Sequence, residues 1–266
     1  MDPILSAVLI VAGIGILAGA LLAVLSKVMA VPVDEKAQAI EEILPGANCG
    51  SCGFSGCSGY AAALSSGKTT ETGLCNPGGS EASKKIAEIM GLAASDITPM
   101  TAVVMCNGTD GNAEKEMIYS GVASCKMASQ LFGGDKSCIY GCLGLGDCVN
   151  QCPYNAIKIC DGTAVVSPEL CKACKKCISV CPKGIIELMP KDKVSAAVLC
   201  KNHNKGAQTM KECKVGCIGC TKCVKTCESE AITMDKNVAH IDAAKCTACG
   251  KCAEACPRNA ISLLDL

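Results

Sequence analysis

One uninterrupted apolar stretch dominates the N-terminal end of the chain. Residues 3–26 contain no charged side chain, and a helix of about 20 apolar residues can cross the hydrocarbon core of a bilayer. A cleaved signal peptide is the competing interpretation, but its apolar region usually spans only about 7–15 residues and follows a basic residue. Asp2 precedes the stretch and Lys27 follows it, so the positive-inside rule predicts a single-pass helix within residues 1–30, in the cell membrane, with the later domains in the cytoplasm.

Helical periodicity continues in two shorter segments. Apolar positions three and four residues apart predict helices over residues 34–44 and 81–92, the second capped by Ser80. A glycine-rich segment between them contains three close cysteines and a distant one, a set suited to one [4Fe–4S] cluster: Cys49, Cys52, Cys57 and Cys75. We therefore predict a small α-rich domain over residues 32–93 that holds a single cluster.

Beyond residue 93 the apolar runs are short, and the pattern occurs twice. AVVMC at 102–106 matches AAVLC at 196–200, and GCLGLGDC at 141–148 matches GCIGCTKC at 216–223. The apolar runs before the cysteines at 106 and 200 predict short buried strands. The repeat predicts two similar units, over residues 94–190 and 191–266. The whole chain is therefore predicted to be an α+β protein, with one transmembrane helix, a small α-rich domain and two tandem units.

Composition indicates what fills the interior of these units. The chain has 25 cysteines, four Tyr, two Phe and no Trp, so inorganic clusters are expected to supply much of the core. Its formal net charge is zero, which gives no indication of nucleic-acid binding. A disulfide framework or zinc sites would also use many cysteines. Runs of three close cysteines with a remote Cys-Pro favour iron–sulfur clusters over both.

Cysteine spacing in the first unit predicts two clusters. The cysteines from residue 171 to residue 181 follow the C-x2-C-x2-C-x3-C-P run of bacterial two-cluster ferredoxins, in which the fourth thiolate reaches the neighbouring cluster. An irregular run of four cysteines, ending in Cys152-Pro153, precedes it. Crossed ligation then predicts one set of Cys138, Cys142, Cys148 and Cys181, and a second set of Cys171, Cys174, Cys177 and Cys152.

The second unit contains a regular pair of such runs. Its predicted ligands are Cys217, Cys220, Cys223, Cys227, Cys246, Cys249, Cys252 and Cys256, which brings the predicted total to five [4Fe–4S] clusters. Cys213 stands four residues before Cys217, as Cys138 does before Cys142, and is the alternative to Cys220 as a ligand. We favour Cys220 because it completes the regular spacing. Leu145 occupies the matching position in the first unit, so Cys138 is predicted to supply the missing thiolate there.

Four further cysteines fall outside the five sets: Cys106, Cys125, Cys160 and Cys200. Free cysteine is among the most often buried residue types, so small buried side chains are their simplest interpretation. The matched positions of Cys106 and Cys200 in the two units keep an additional ligand role open.

No segment indicates a residue that makes or breaks covalent bonds. No G-x-G-x-x-G follows a strand, and no Ser/His/Asp or Cys/His set stands apart from the predicted ligands. The predicted clusters would themselves carry the redox chemistry, so the pattern is typical of electron transfer.

The succession of motifs resembles one known family over essentially the whole chain. An N-terminal apolar helix is followed by LPGANCGSCGFSGCSGYA, a distant Cys75, GCLGLGDC and two ferredoxin pairs, and this order is similar to the B subunits of the Rnf complex. The resemblance implies a component of a translocase that passes electrons from reduced soluble ferredoxin to NAD and translocates Na⁺ or H⁺. It implies other Rnf subunits as membrane partners, which carry the flavin and NAD chemistry. The alternative is an electron-transfer subunit of another membrane-bound oxidoreductase, such as a hydrogenase.

Basic side chains crowd the ligand runs of the two ferredoxin-like units. They are Lys172, Lys175, Lys176, Lys183, Lys222, Lys225, Lys251 and Arg258. Small ferredoxins are commonly acidic, so this basic rim is suited to steer one toward the clusters. The alternative interpretation is that isolated surface charges only keep the protein soluble.

Overall fold

The computed structural model describes residues 3–28 and 34–266. Its helices are α1 (Pro3–Val28), α2 (Glu35–Ile43), α3 (Cys57–Ser65), α4 (Gly79–Met90), α5 (Cys125–Ser129), α6 (Asp147–Asn150), α7 (Lys176–Val180), α8 (Gly206–Glu212), α9 (Lys222–Thr226) and α10 (Lys251–Glu254). Its strands are β1 (Met100–Val104), β2 (Ile157–Cys160), β3 (Thr163–Val166), β4 (Ile186–Pro190), β5 (Ser195–Val198), β6 (Ile232–Asp235), β7 (Val238–Ile241) and β8 (Ile261–Leu264).

Helix α1 forms over the whole of the N-terminal apolar stretch. Large apolar side chains along it, such as Val11, Leu17 and Leu22, are exposed. Within the described residues, no helix combines the length and the apolarity that a membrane span requires. Asp2 and the predicted junction between the first two domains, at residues 30–32, lie outside the described residues.

Three helices build the first cysteine-containing domain. Helix α2 begins where the Asp34 carboxylate accepts hydrogen bonds from the backbone N–H groups of Lys36 and Ala37, at 3.0 and 3.2 Å. The predicted helix over 34–44 is thus confirmed. Helix α4 also forms, but the predicted cap at Ser80 is wrong. A 3₁₀ turn over Asn76–Gly78 leads directly into α4, so Ser80 already lies inside the helix.

A small apolar core holds these helices together. Ile40 of α2, Leu64 of α3 and Ile86 of α4 are fully buried in one cluster with Tyr60. The Tyr60 hydroxyl donates a 2.6 Å hydrogen bond to the backbone carbonyl of Glu71. This bond satisfies the one polar atom of the side chain, and it ties α3 to the loop that leads to Cys75.

The two ferredoxin-like units have the same strand pairing. In the first unit β1 pairs antiparallel with β4 and β2 with β3; in the second, β5 pairs with β8 and β6 with β7. The short buried strands predicted before residues 106 and 200 are therefore confirmed as β1 and β5. Because each outer pair joins the two ends of its unit, it brings the first and last segments of that unit together.

The two units pack directly against each other. Val103, Met105 and Met189 of the first unit share one apolar cluster with Ala197 of the second. Hydrogen bonds cross the same junction: Asn107 N–H donates to the carbonyl of Leu199 at 3.2 Å, Lys214 N–H to Asn112 at 2.8 Å, and Ser137 Oγ to Glu212 at 2.8 Å. The segments that follow β1 and β5, each containing one unassigned cysteine, consequently face one another.

Candidate iron–sulfur centres

The four cysteines predicted as ligands in the first domain line one cavity. Cys49, Cys52, Cys57 and Cys75 surround an empty volume of about 310 Å³. Cys57 is the first residue of α3, and its backbone N–H donates a 2.8 Å hydrogen bond to Asn48 Oδ1, which fixes the turn before the helix. Burial raises the pKa of Cys75 to about 11, so its free thiol is protonated at neutral pH. Binding of a metal to this thiolate must therefore displace a proton.

In the second unit the structure brings together three consecutive cysteines and a remote one. Cys217, Cys220, Cys223 and Cys256 line a cavity with an empty volume of about 370 Å³. Cys220 lines this cavity, whereas Cys213 lines a different one. The sulfur of Cys256 accepts a 3.4 Å hydrogen bond from the backbone N–H of Ala260.

The other cysteines of the second unit form a neighbouring group. Cys227, Cys246 and Cys252 pack in the same core cluster. Cys249 stands three residues from both Cys246 and Cys252 in the same short segment, and burial raises the pKa of Cys252. Cys220 and Cys249 are the exposed cysteines of the described chain. The second unit therefore has ligand candidates at the protein surface.

In the first unit Cys152 packs in one apolar cluster with Cys171 and Cys177 of the regular run. Burial raises the pKa of Cys177 to about 11, and the charges of Cys171, Cys174 and Cys152 raise it further. The sulfur of Cys152 accepts a 3.3 Å hydrogen bond from the backbone N–H of Ala156, the counterpart of the bond between Ala260 and Cys256. The arrangement around the Cys-Pro end is thus repeated between the units.

The remaining set of the first unit differs from the one assigned by spacing. Cys142, Cys148 and Cys181 line a cavity with an empty volume of about 350 Å³, but its fourth cysteine is Cys125 and not Cys138. Cys125 is the first residue of α5, and Asp147, the first residue of α6, anchors this helix. The Asp147 carboxylate accepts hydrogen bonds, both of 3.0 Å, from the Ser124 hydroxyl and the Lys126 backbone N–H.

Sequence reasoning missed Cys125 because it stands far from the regular run. It precedes Cys142 by a long segment with no ligand spacing, and only the tertiary contact with Asp147 brings it to the cavity. The one signal in the sequence was Leu145, which showed that a thiolate had to come from elsewhere in the first unit.

Cys138 lines a different cavity at the junction between the units. Cys106 and Cys138 of the first unit and Cys200 and Cys213 of the second surround an empty volume of about 380 Å³. Three of these four side chains are buried, and Cys106 is half-buried. Cys160, at the end of β2, lines none of the four cavities described above.

Neighbouring groups of cysteines lie side by side along the molecule. Burial raises the pKa of Tyr154 to about 12, and the charges of Cys174 of the first unit and Cys49 of the first domain raise it further. The loops that carry these two groups are in contact, because Ser51 Oγ donates a 3.5 Å hydrogen bond to the carbonyl of Ala173 and Lys175 Nζ donates one of 3.5 Å to the carbonyl of Ser51. Cys148 and Cys177, which belong to the two cysteine groups of the first unit, are buried in one apolar cluster. Burial raises the pKa of Cys148 to about 12.

The donor sets fit [4Fe–4S] clusters. Each of the four cavities described above offers four thiols, and their empty volumes are similar, between about 310 and 380 Å³. Within residues 3–28 and 34–266, no three His, Cys, Asp or Glu side chains are arranged to hold one metal ion. A cluster needs wider spacing, because each thiolate binds a different iron, whereas one zinc ion draws all its sulfurs to about 2.3 Å.

Comparison with known proteins identifies three iron–sulfur segments and the family. Residues 216–260 match a 4Fe-4S dicluster domain, 164–187 a 4Fe-4S binding domain, and 44–77 a family described as a putative Fe-S cluster. The chain therefore binds [4Fe–4S] clusters.

Relatives extend this similarity over nearly the whole chain. The B subunit of the ion-translocating oxidoreductase complex of Methanosarcina acetivorans is 38% identical over 98% of both chains. The B subunit of the Na(+)-translocating ferredoxin:NAD(+) oxidoreductase complex of Acetobacterium woodii is 40% identical over 97% of this chain and 78% of its own. The proton-translocating counterpart of Clostridium ljungdahlii is 35% identical over 92% and 87%. The resemblance found in the sequence is confirmed, and the chain belongs to the B subunits of ion-translocating (Rnf) oxidoreductase complexes.

Proposed function

We propose that this chain accepts electrons from reduced ferredoxin and relays them into a membrane-bound Rnf complex that reduces NAD and translocates Na⁺ or H⁺. The relatives from A. woodii and C. ljungdahlii are named as subunits of such oxidoreductases. The observation that carries the proposal is the succession of contacting cysteine-bearing segments from the first domain, through the first unit, to the C-terminal unit. A bound cluster supplies one-electron chemistry, and the thiolates and apolar walls hold it in place.

The proposal assigns five clusters to five sets of ligands. They are Cys49, Cys52, Cys57 and Cys75; Cys142, Cys148, Cys181 and Cys125, which replaces Cys138; Cys152, Cys171, Cys174 and Cys177; Cys217, Cys220, Cys223 and Cys256; and Cys227, Cys246, Cys249 and Cys252. The first set belongs to the domain at 32–93, the next two to the unit at 94–190, and the last two to the unit at 191–266.

Ferredoxin is proposed to dock on the second unit. Cys220 and Cys249 are exposed there, and Lys222 and Lys225 stand beside the first of these runs, also exposed. Within the described part of the chain, no salt bridge or hydrogen bond holds either ammonium group. Other basic side chains of the rim are already engaged: Lys183 Nζ of the first unit donates 2.6 Å hydrogen bonds to two backbone carbonyls, and in the second unit Lys251 pairs with Glu228.

The rate at which reduced ferredoxin is oxidised tests this function. In stopped flow, the full-length chain with its clusters, but without flavin or NAD, should oxidise ferredoxin in a bimolecular reaction. Replacing Lys222 and Lys225 by Glu should lower the rate at least about tenfold at low salt, because steering contributes about 10- to 1,000-fold. The effect should fade between 0.1 and 1 M salt, as the Debye length falls from ~10 to ~3 Å.

A matched double variant separates docking from overall charge. Lys68→Glu with Lys84→Glu makes the same charge change at exposed positions of the first domain and should leave the rate unchanged. If the control lowered the rate more than the replacement of Lys222 and Lys225 did, the docking site would lie on the first domain instead. If the wild-type chain failed to oxidise ferredoxin with its clusters intact, the proposed function would be refuted, and the alternative oxidoreductase would be favoured.

We further propose that α1 anchors the chain in the cell membrane. The uncharged stretch at 3–26 and the exposed apolar side chains along α1 support this, because such a surface is unfavourable in water. Replacing Leu17 and Leu21 by Lys should release the full-length chain from washed membranes, since a lysine at the centre of a span costs about 2.5–3.5 kcal/mol.

The exposed Leu131 provides the control for this anchoring test, and Leu131→Lys should leave the chain in the membrane fraction. Protease added outside intact cells should leave residues 34–266 uncut. Retention of the double-lysine variant would refute the anchor, and digestion of the cysteine-rich part would refute the cytoplasmic side.

A further inference from the structure

We propose that Cys106, Cys138, Cys200 and Cys213 hold a sixth [4Fe–4S] cluster, which joins the two ferredoxin-like units into one path. The inference rests on the proposed electron-transfer function for its role, but the site itself is built from the side chains at the junction. Six sets of four thiolates account for all but one of the 25 cysteines, leaving Cys160.

The first observation is the symmetry of the four side chains. Each unit contributes two of them: one just after its first strand, β1 or β5, and one four residues before the first ligand candidate of its first cysteine run, Cys142 or Cys217. Their cavity has an empty volume of about 380 Å³, close to the 370 Å³ of the cavity with the regular ferredoxin spacing.

The second observation is that the sulfurs at this site accept hydrogen bonds. Cys106 Sγ accepts them from the backbone N–H groups of Gly108 at 3.4 Å and Cys142 at 3.3 Å. Cys200 Sγ repeats the first of these with the backbone N–H of Asn202, at 3.4 Å. Hydrogen bonds of this kind stabilise thiolates and tune cluster potentials.

The other two cysteines are contacted by side chains. Cys138 Sγ accepts a 3.5 Å hydrogen bond from the side-chain amide of Asn202, which belongs to the other unit. At Cys213 the neighbouring donor is the Arg258 guanidinium, which binds the backbone carbonyl of this cysteine. Hydrogen bonds thus reach three of the four sulfurs, and one of them crosses the junction between the units.

Charge around the cavity also fits a negatively charged cluster. The Lys136 side chain is 1% exposed, and the positive charge of its ammonium group opposes the rise that burial causes in the pKa of Cys106. On the other side, Arg258 Nη2 donates a 2.9 Å hydrogen bond to the backbone carbonyl of Cys213. The two cations stand on opposite units and offset part of the charge that four thiolates would bring into a buried space. The buried Glu212 carboxylate acts in the opposite sense, and the Asn202 amide binds it at 2.6 Å.

The third observation is the position of the site between established sets. The backbone N–H that binds Cys106 Sγ belongs to Cys142, a ligand candidate of the first unit. Cys200 packs in the same apolar cluster as Cys217 and Cys223, ligand candidates of the second. The site therefore adjoins one set in each unit. Each transfer through it would oxidise one neighbour and reduce the next by one electron, with ferredoxin as the reductant and no bond formed or broken.

Iron and sulfide counting on the full-length, anaerobically purified chain tests the proposal. We expect about 24 iron and 24 sulfide atoms per chain, and a native mass that corresponds to six clusters. The double variant Cys106→Ala with Cys200→Ala should lose about four of each. Cys160→Ala, which removes a cysteine of the first unit outside the cavities, should lose none.

Each outcome decides for or against the site. About 20 iron and 20 sulfide in the wild-type chain would overturn it, and so would about 20 iron with one zinc. If the double variant did not fold, the wild-type native mass would still distinguish six clusters from five. A count of 20 with normal ferredoxin oxidation would refute the sixth cluster alone, whereas a count of 24 without ferredoxin oxidation would refute the proposed function alone.

Discussion

A chain carrying both Cys125→Ala and Cys138→Ala is expected to lose about eight iron and eight sulfide atoms, twice the loss of either single variant. Cys125 lines the cavity of Cys142, Cys148 and Cys181, whereas Cys138 lines the cavity at the junction between the units. Because the two side chains serve different cavities, the losses should add. The spacing of the sequence alone assigned Cys138 to the first cavity, and that assignment predicts no iron loss at all for Cys125→Ala.

A second double variant is the control in which the iron losses should not add. Cys125→Ala with Cys181→Ala removes two thiols from one cavity, so it should lose only about four iron atoms. Iron is measured by elemental analysis and sulfide by colorimetry on the same anaerobic sample. A loss of about four in the Cys125 and Cys138 pair would mean that both serve one cluster. If Cys125→Ala kept its full iron content, Cys138 and not Cys125 would be the fourth ligand of the set with Cys142, Cys148 and Cys181.

The comparison of these two cysteines shows where sequence reasoning succeeds in this fold. Cys217, Cys220 and Cys223 come together because their spacing is local, so the prediction of this run needed no tertiary information. Cys125 depends on a hydrogen-bonded contact between α5 and Asp147 that no spacing rule encodes. For Cys138 the local spacing was misleading. It assigned this residue to the set of Cys142, but the side chain lines the junction cavity with cysteines of the other unit.

The secondary structure was likewise predictable only where the pattern along the chain is local and repeated. The strands β1 and β5 were predicted because their apolar residues recur in both units. The start of α4 was predicted wrongly. Pro77 and Gly78 form a 3₁₀ turn that leads directly into the helix, so the helix begins before Ser80 and this residue does not cap it. The junction cavity forms because the two units pack against each other. In that packing Met105 and Met189 of the first unit contact Ala197 of the second, and the spacing of residues along the chain does not predict such a contact.

Replacing the buried Lys136 by Met is expected to lower the free energy of unfolding by about 2–5 kcal/mol, since an unpaired buried acceptor costs about 1–3 kcal/mol. The Lys136 ammonium group donates 2.8 Å hydrogen bonds to the carbonyls of Gly108 and Gly162 and lies 3.6 Å from the Asp110 carboxylate. Methionine fills a similar volume, but it leaves both carbonyls without this donor. The segment after β1 and the turn between β2 and β3 would lose their common anchor.

The measurement is the rate at which the cluster absorbance bleaches in denaturant, because loss of clusters makes unfolding irreversible. Lys136→Met should bleach at least about tenfold faster than the wild-type chain, since part of the lost free energy appears in the unfolding rate. Lys85→Met is the control. Lys85 makes a shorter ion pair, 2.7 Å to Glu81, but both side chains are more than half exposed. Exposed pairs of this kind contribute about 0.3–0.5 kcal/mol, so its rate should change by about twofold or less. Equal rates for the two variants would contradict a structural role for the buried ammonium group at this junction.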